Sequence, residues 1–427
     1  MADNPKKYIA MFSVHSDPLA PLGSQEGGGQ NMYVRSLVEE LTKLDWEIDI
    51  FTRWDSLQRR QFAKINKKAR IIRLKGGNIG FIPKNELFTV VNEIYENFLA
   101  FVNYKNPYAL FHSHYWDGGA VGLMAKEKFK KPLVHNFHSL GITRLESMKR
   151  YLKDETVQNH FAERINHESK IITGSDKIIC LAEAGKKDLE KYYACPPEKI
   201  LVIPGGVNLK SWPLVEKEAA RKYLLAKPED FIILFVGRLE WGKGLGTLLA
   251  AINLVRQEVS NLKFLIVGGK IFGRNKNSAD LAEYDRLQAM VEKKHMGNFV
   301  RFVGNIENRA LSYFYRAADL FCVPSYYEGF GLVALEGMAN KIPVLASNTG
   351  GLASIIKPNE TGFLAEPKDP EDLKNKIVKI YKDRELAQQV TEKAYQEVTE
   401  KYSWKKIAED ISRSYEELIK TKRNEKA

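Results

Sequence analysis

The sequence predicts an α/β fold of two successive doubly wound units, each a parallel sheet covered by helices on both faces. Three observations carry that expectation. Short, nearly continuous apolar runs alternate with longer helix-period segments along the whole chain. Strands of that kind are buried on both faces and joined by crossover helices. The alternation begins afresh after Pro204-Gly205-Gly206-Val207, and the 427 residues suit two or three domains of ordinary size.

In the first half the strand-like runs fall at 8–15, 47–52, 70–74, 109–112, 132–137, 177–181 and 200–203. Helical patterns separate them at 31–44, 86–102, 120–128 and 158–172. In the second half the runs lie at 231–236, 263–267, 300–303, 320–323 and 343–346. Helices are expected there at 245–259, 279–293 and 332–339, and over most of the chain from 370 onward. The domains predicted are therefore 1–206 and one from 207 onward.

Composition narrows the function classes. Hydrophobic residues at 44% and charged residues at 28% supply enough apolar surface for packed cores, which excludes a mainly disordered chain. The longest apolar runs, such as 231–236, fall far short of the ~20 residues a bilayer demands. Sixty-five Lys and Arg against 53 acidic residues leave +12, which favours anionic partners. The basic clusters at 64–70, 126–131 and 420–423 are scattered and carry no nucleic-acid motif. A membrane-surface role is weighed and disfavoured, because the helical segment 86–102 contains no Lys or Arg. Cys180, Cys195 and Cys322 are too few and dispersed for a disulfide framework. Lys6 and Lys7 before an apolar run imitate a signal peptide, but the run stops at His15 and Asp17 without a cleavage site. A cytoplasmic, reduced protein is expected.

Ligands of doubly wound sheets sit beyond the carboxyl ends of the strands, so the loops there, and the crevice between two such units, should carry the chemistry. One loop, Ser325-Tyr-Tyr-Glu328-Gly-Phe330-Gly331-Leu332, follows the run 320–323 and opens a helix containing Glu336. Its glycines admit close backbone approach, and free N–H groups at a helix start attract phosphate or sugar oxygens. A second, Gly237-Arg238-Leu-Glu-Trp-Gly-Lys243-Gly244, offers a guanidinium and an ammonium to one anion. Its spacing is not that of a P-loop. The third, Gly23-Ser-Gln-Glu-Gly27-Gly28-Gly29-Gln30-Asn31, precedes a helix but lacks the dinucleotide fingerprint. The bland counterparts are a helix cap with a solvated glutamate, a basic turn and a flexible turn.

These loops, in this order and spacing, resemble the retaining nucleotide-sugar glycosyltransferases of family 4, over residues 8 to 403. The resemblance implies the GT-B fold, two Rossmann-like domains facing across a cleft. Tyr402-Ser-Trp404 and the final helix are also family-like, and that helix is expected to cross back onto the first domain. The resemblance thus sets off a closing segment 403–427 from a second domain of 207–402. By the same resemblance the N-terminal domain binds the acceptor and the C-terminal domain the nucleotide sugar. Arg238 and Lys243 would hold the donor diphosphate, Glu336 the ribose hydroxyls and Glu328 the transferred sugar. Gly28, Gly29, Phe330, Gly331 and Leu332 would complete the donor pocket, and His138 would assist catalysis through the donor sugar. No Asp-x-Asp triplet occurs, so neither an obligatory metal nor any other cofactor is expected beyond the nucleotide sugar as co-substrate.

The N-terminal motifs Ser13-Val-His15-Ser-Asp-Pro, His112-Ser-His114-Tyr115-Trp116 and His135-Asn-Phe-His138-Ser139-Leu-Gly141 look like one subgroup. It holds the sucrose-phosphate synthases, the sucrose synthases and the D-inositol-3-phosphate glycosyltransferases. There Lys84, Tyr115, Ser139 and Arg164 would surround an acceptor phosphate, with Gln30, Asn31 and Arg144 beside them. Gln30 leans towards fructose-phosphate users, whereas Arg144 stands where those carry lysine. The expectation is a hexose, glucose from UDP-glucose, transferred to fructose 6-phosphate. Inositol phosphate, free fructose and a lipid or polysaccharide are the alternative acceptors. A non-catalytic sugar-nucleotide-binding protein is the alternative class. A zinc cluster of His112, His114, His135 and His138 is weighed and disfavoured, and the oligomeric state is left open.

Overall fold

The computed structural model describes residues 7–20, 28–152, 159–209, 215–269 and 279–425. The Gly23–Gly27 part of the third loop lies outside the described residues. The chain divides into two compact units, one of residues 1–205 with 404–427, the other of residues 206–403.

The first unit runs β1 (Tyr8–Phe12), α1 (Gly29–Leu41), β2 (Glu47–Arg53), β3 (Phe62–Lys64), β4 (Ala69–Leu74), α2 (Val91–Phe101) and β5 (Leu110–His114). It continues through α3 (Tyr115–Phe129), β6 (Leu133–Phe137), α4 (Gly141–Leu152), α5 (Asn159–Gly174), β7 (Lys177–Cys180), α6 (Glu183–Tyr193) and β8 (Ile200–Val202). The sheet order is β3-β4-β2-β1-β5-β6-β7-β8. All its pairings are parallel except that of the edge strand β3. β1 is central because Ile9, Ala10, Met11 and Phe12 are wholly buried, as a strand covered on both faces requires. Phe12 packs edge-on against Phe98 and stacked against Phe51, tying β1 and β2 to α2.

The second unit runs α7 (Lys217–Tyr223), β9 (Phe231–Val236), α8 (Leu245–Val255), β10 (Leu262–Val267), α9 (Ala279–Lys293), β11 (Val300–Gly304) and α10 (Asn308–Ala317). β12 (Leu320–Val323), α11 (Leu332–Ala339), β13 (Val344–Ser347), α12 (Gly350–Ile355), β14 (Phe363–Ala365), α13 (Pro370–Lys382) and α14 (Arg384–Lys401) follow. The sheet is wholly parallel, in the order β11-β10-β9-β12-β13-β14.

The last helix, α15 (Trp404–Asn424), belongs to the first unit although α13 and α14 belong to the second. Its spacing explains why it docks. Trp404, Ile407, Ala408, Ile411, Tyr415, Leu418 and Ile419 are buried on one face, each large one worth roughly 1.5–3 kcal/mol of transfer free energy. Trp46 Nε1 donates to Ser412 Oγ at 2.8 Å, and Lys7 pairs with Glu416 at 2.6 Å.

Three local expectations need correction. The helix expected over 86–102 begins as a 3-10 turn, Lys84–Thr89, and becomes α2 only at Val91. Val90 has φ −118°, off helical geometry, and the β-branched pair there disfavours an earlier start. Tyr115 and Trp116, which fall on a loop between the run 109–112 and the helix expected over 120–128, form the buried first turn of α3. The three-residue strands β3 and β14 had no run long enough to announce them.

Candidate functional site

In each sheet the connections reverse direction at one place: between β1 and β5 in the first unit, and between β9 and β12 in the second. Loops leaving the carboxyl ends of the two strands part there and leave a crevice. Residues 28–31 and the His112 motif lie at the first of these positions with the His135 motif one strand away, and the Arg238 and Glu328 loops lie at the second.

In the first unit the chain after β1 is fixed by a buried carboxylate. Asp17 Oδ2 accepts from Arg73 Nε at 2.7 Å, and Asp17 Oδ1 from the backbone N–H of Leu19 at 2.8 Å. Asn31 reaches back from α1. Its Nδ2 donates to the Asp17 carbonyl at 2.7 Å, and its Oδ1 accepts from the Gly28 N–H at 2.9 Å. Both ends of that amide therefore hold the loop. Gln30 Nε2 donates to Ser13 Oγ at 3.2 Å. Gly29, the first residue of α1, is exposed.

Past β5 and β6 the polar groups gather densely. Arg164 of α5 is buried; its Nε donates to Glu168 at 2.7 Å, and its Nη2 to the Ser139 carbonyl at 2.6 Å and Ser139 Oγ at 3.1 Å. The same guanidinium lies 4.6 Å from the centre of the Tyr115 ring. Glu168 also accepts from the backbone N–H of Gly141, at the start of α4, and from the Tyr193 hydroxyl. Three donors, one of them shared between both oxygens, keep the charge of this buried carboxylate compensated. Tyr115 has φ +61°, a strained value for a bulky residue, and such strain gathers at functional sites. Arg144 is exposed on α4, yet its charge, with that of Arg164, acts on the Tyr115 hydroxyl. Lys84 is half-buried, and its charge acts on both His15 and His138.

His138 follows β6, half-buried, with Tyr33 edge-on at 5.0 Å and His114 Nδ1 at 3.1 Å from its Nε2. Burial, with help from neighbouring imidazoles and Lys84, pushes its pKa down to about 3, so the ring is neutral at physiological pH. His112 bonds Tyr415 of α15 through Nδ1, and His135 bonds Ser113 Oγ through Nδ1. Among the described residues no group of three or more His, Cys, Asp or Glu is arranged to hold a metal ion.

In the second unit the two expected loops interlock. Gly244 has φ +71°, and a Cβ there would meet the Pro324 carbonyl oxygen at 1.9 Å. The Tyr326 N–H donates to the Gly242 carbonyl at 2.9 Å, and Thr247 Oγ1 and Tyr326 Oη share a 2.6 Å bond. Lys243 Nζ pairs with Glu328 Oε2 at 2.6 Å, which also accepts from Ser325 Oγ at 3.2 Å. Arg238 pairs instead with Glu240 at 2.5 Å. Gly331 has φ +108° and leads into α11, with Phe330 buried and Leu332 half-buried beside it. Glu336, one turn into that helix, accepts from Tyr315 Oη at 3.2 Å. Desolvation pushes its pKa up to about 7 against the opposing Tyr315 bond.

Two groups went unmarked among the candidate site residues. His15 Nδ1 lies 2.6 Å from Asp117 Oδ2, both buried, with His15 edge-on to the Tyr115 ring at 4.7 Å. Glu168, which holds Arg164, is the other. Asp117 in the first turn after a strand end was the available signal, but pairing across 102 residues is a tertiary event that no local spacing announces.

Two family models match the chain: glycosyl transferases group 1 over residues 216–397 and glycosyltransferase family 4 over residues 27–211. The D-inositol 3-phosphate glycosyltransferase of Corynebacterium kroppenstedtii is 30% identical across 98% of this chain and 92% of its own. Mannosylfructose-phosphate synthase of Agrobacterium fabrum is 30% identical across 94% of this chain and 90% of its own. The solved structure of sucrose-phosphate synthase from Thermosynechococcus elongatus superposes with a TM-score of 0.88, 34% identity and coverage of 97% and 100%. Its likeness spans both units. The chain belongs to the family 4 glycosyltransferases of GT-B fold.

Proposed function

We propose that the chain is a retaining glycosyltransferase moving a hexose, glucose from UDP-glucose, to a sugar-phosphate acceptor, with fructose 6-phosphate preferred. The observation that carries the acceptor class is the Arg164 cluster. A guanidinium clamped by Glu168 and Ser139 lies under Tyr115, at a strand end where Lys84 and Arg144 add charge. Two or three cations with hydroxyl donors suit a phosphomonoester dianion, and a guanidinium presents its donors in fork geometry. The names of the three relatives above each contain a phosphate ester, which supports the same reading.

On the donor side, Arg238 and Lys243 neutralise the diphosphate, Glu336 accepts from the ribose hydroxyls and Glu328 from the transferred sugar. In the free protein Glu240 and Glu328 balance those two cations, so donor binding exchanges carboxylate partners for phosphate oxygens. In the reaction the bond from the anomeric carbon to phosphate oxygen breaks, and a bond to the acceptor hydroxyl oxygen forms on the same face. The hydroxyl proton passes to the departing phosphate. Charge developing on that phosphate is what the fixed cations stabilise. His138, neutral, donates a hydrogen bond to the donor sugar and serves as neither nucleophile nor base. No divalent metal is required for this scheme.

A panel measuring nucleoside-diphosphate release tests the reading. UDP-, ADP- and GDP-sugars are crossed with fructose 6-phosphate, inositol 3-phosphate, free fructose and a lipid acceptor. Release with a sugar or polyol phosphate supports it. Release with only free fructose or the lipid overturns the acceptor class. No release or donor hydrolysis in any combination favours a non-catalytic binding protein. Inositol 3-phosphate is the second acceptor to try, because the Corynebacterium relative is named for it.

A further inference from the structure

The histidines behind the acceptor site hold three ring nitrogens, His112 Nε2, His114 Nε2 and His135 Nε2, that are buried without a hydrogen-bond partner. A buried N–H without an acceptor is rare, whereas an unpaired lone pair is tolerated more often. His114 is wholly buried and its ring sits 4.3 Å from that of His112. Its other nitrogen, Nδ1, makes the 3.1 Å bond to His138 Nε2. In that bond one ring must donate and the other accept. If His138 donated, His114 would carry its proton on Nε2, as an orphaned buried donor. If His114 donates from Nδ1, its Nε2 is a bare lone pair, and His138 Nε2 is an acceptor. A neutral His138 then carries its proton on Nδ1.

We propose that His114 is a positioning residue that fixes His138 as the tautomer protonated on Nδ1, so that His138 meets the substrate as a hydrogen-bond donor. Among the described residues the ring hydrogen bond of half-buried His138 is the one at Nε2, so its Nδ1–H is the group it can offer to a substrate oxygen. The arrangement is buttressed from two sides. Tyr33 packs edge-on against His138 at 5.0 Å and is itself packed against Trp404 of α15 at 5.0 Å. Tyr415 of α15 bonds His112, whose ring lies against His114. The ring of His138 is thus held by one hydrogen bond and packed against Tyr33, and that bond selects its tautomer. The inference rests on the reading of His138 as a group that touches the reacting sugar.

Two measurements test it. The first uses the unmodified protein labelled with 15N in its eight histidines, the His138 signals being assigned by their loss in H138A. Ring nitrogen shifts distinguish a protonated from a bare nitrogen. Protonated Nδ1 with bare Nε2 is expected; protonated Nε2 overturns the proposal. The second is a kinetic cycle. H114N keeps an amide N–H near the Nδ1 position and is expected to retain kcat within about threefold, while H114L loses about tenfold in kcat at unchanged KM. In an H138A background H114L is expected to cost nothing further. A full kcat in H114L, or a loss that persists undiminished without His138, overturns the proposal. Unchanged turnover in H138A itself would instead remove His138 from the reaction, a failure of the functional reading that the 15N result does not share.

Discussion

At Glu336 the structure holds a carboxyl whose pKa of about 7 stands well above its ordinary 4.5, because its solvation is lost in α11 and the Tyr315 hydroxyl offsets only part of that. With the folded value raised, the folded protein holds this proton more tightly than the unfolded chain between pH 4.5 and 7. Stability therefore falls as pH rises through that window. Glu336→Gln removes the dependence. It is expected to gain on the order of 1 kcal/mol at pH 8 and nothing below pH 5, read from denaturant midpoints. The ionised form is the better acceptor for ribose hydroxyls, so UDP affinity of the unmodified protein should weaken below pH 7 and that of the Gln variant should not. At Lys243 and Arg238 the expectation is electrostatic. Replacing either by Ala should weaken UDP binding by about tenfold to a hundredfold and make its dependence on salt less steep, as calorimetry would show. His138→Ala should lower turnover by about a hundredfold while leaving UDP affinity within about twofold, since the diphosphate is proposed to be held by Arg238 and Lys243; turnover measured at saturating donor separates the two effects.

Among the elements, the short helix α12 shows how tightly the loop of Glu328 and Phe330 is built. Gly350 has φ +47°, and a Cβ on Gly351 would meet Phe330 Cα at 2.3 Å and the Phe330 carbonyl at 2.5 Å. The Gly351 N–H also donates to the Glu328 carbonyl at 2.8 Å. Gly351→Ala must therefore displace the backbone that carries Glu328 and Phe330. It is expected to cost about 1–3 kcal/mol in stability and to reduce UDP affinity more than acceptor affinity. Long apolar runs such as 231–236 were legible in the sequence as parallel strands, because burial on both faces leaves no room for polar residues. The loops were legible too, because Gly244 and Gly331 occupy backbone conformations that other residues adopt only under strain. Other features were not. Tyr115 and Trp116 entered a helix rather than a loop, because the helix begins directly at the strand end His114. The pairs His15–Asp117 and Arg73–Asp17 join residues 102 and 56 positions apart, and only the sheet order brings them together. The engagement of the Asn31 amide with backbone at both ends was not legible either, because it depends on how the chain after β1 folds back onto α1.

For the molecule as a whole, α15 completes the first unit from the far end of the chain, so that unit cannot be finished until the second has been made. Tyr415 and Trp404, buried on it, couple the helix to His112 directly and to His138 through Tyr33. None of the described helices is long and apolar enough to cross a membrane. The excess of positive charge has proposed addresses in each unit: Lys84, Arg144 and Arg164 for an acceptor phosphate, Arg238 and Lys243 for a donor diphosphate. Because cations take the place of a metal in this scheme, turnover should survive excess EDTA with less than about twofold loss; an activity abolished by EDTA and restored by Mg²⁺ would assign the diphosphate charge to a metal instead. The acceptor phosphate is the central claim, and one ratio measures it: kcat/KM for fructose 6-phosphate over that for free fructose, with UDP-glucose saturating. A buried guanidinium, a lysine and their hydroxyl partners left without a phosphate should cost the free sugar about a thousandfold or more. A ratio near one would contradict the account.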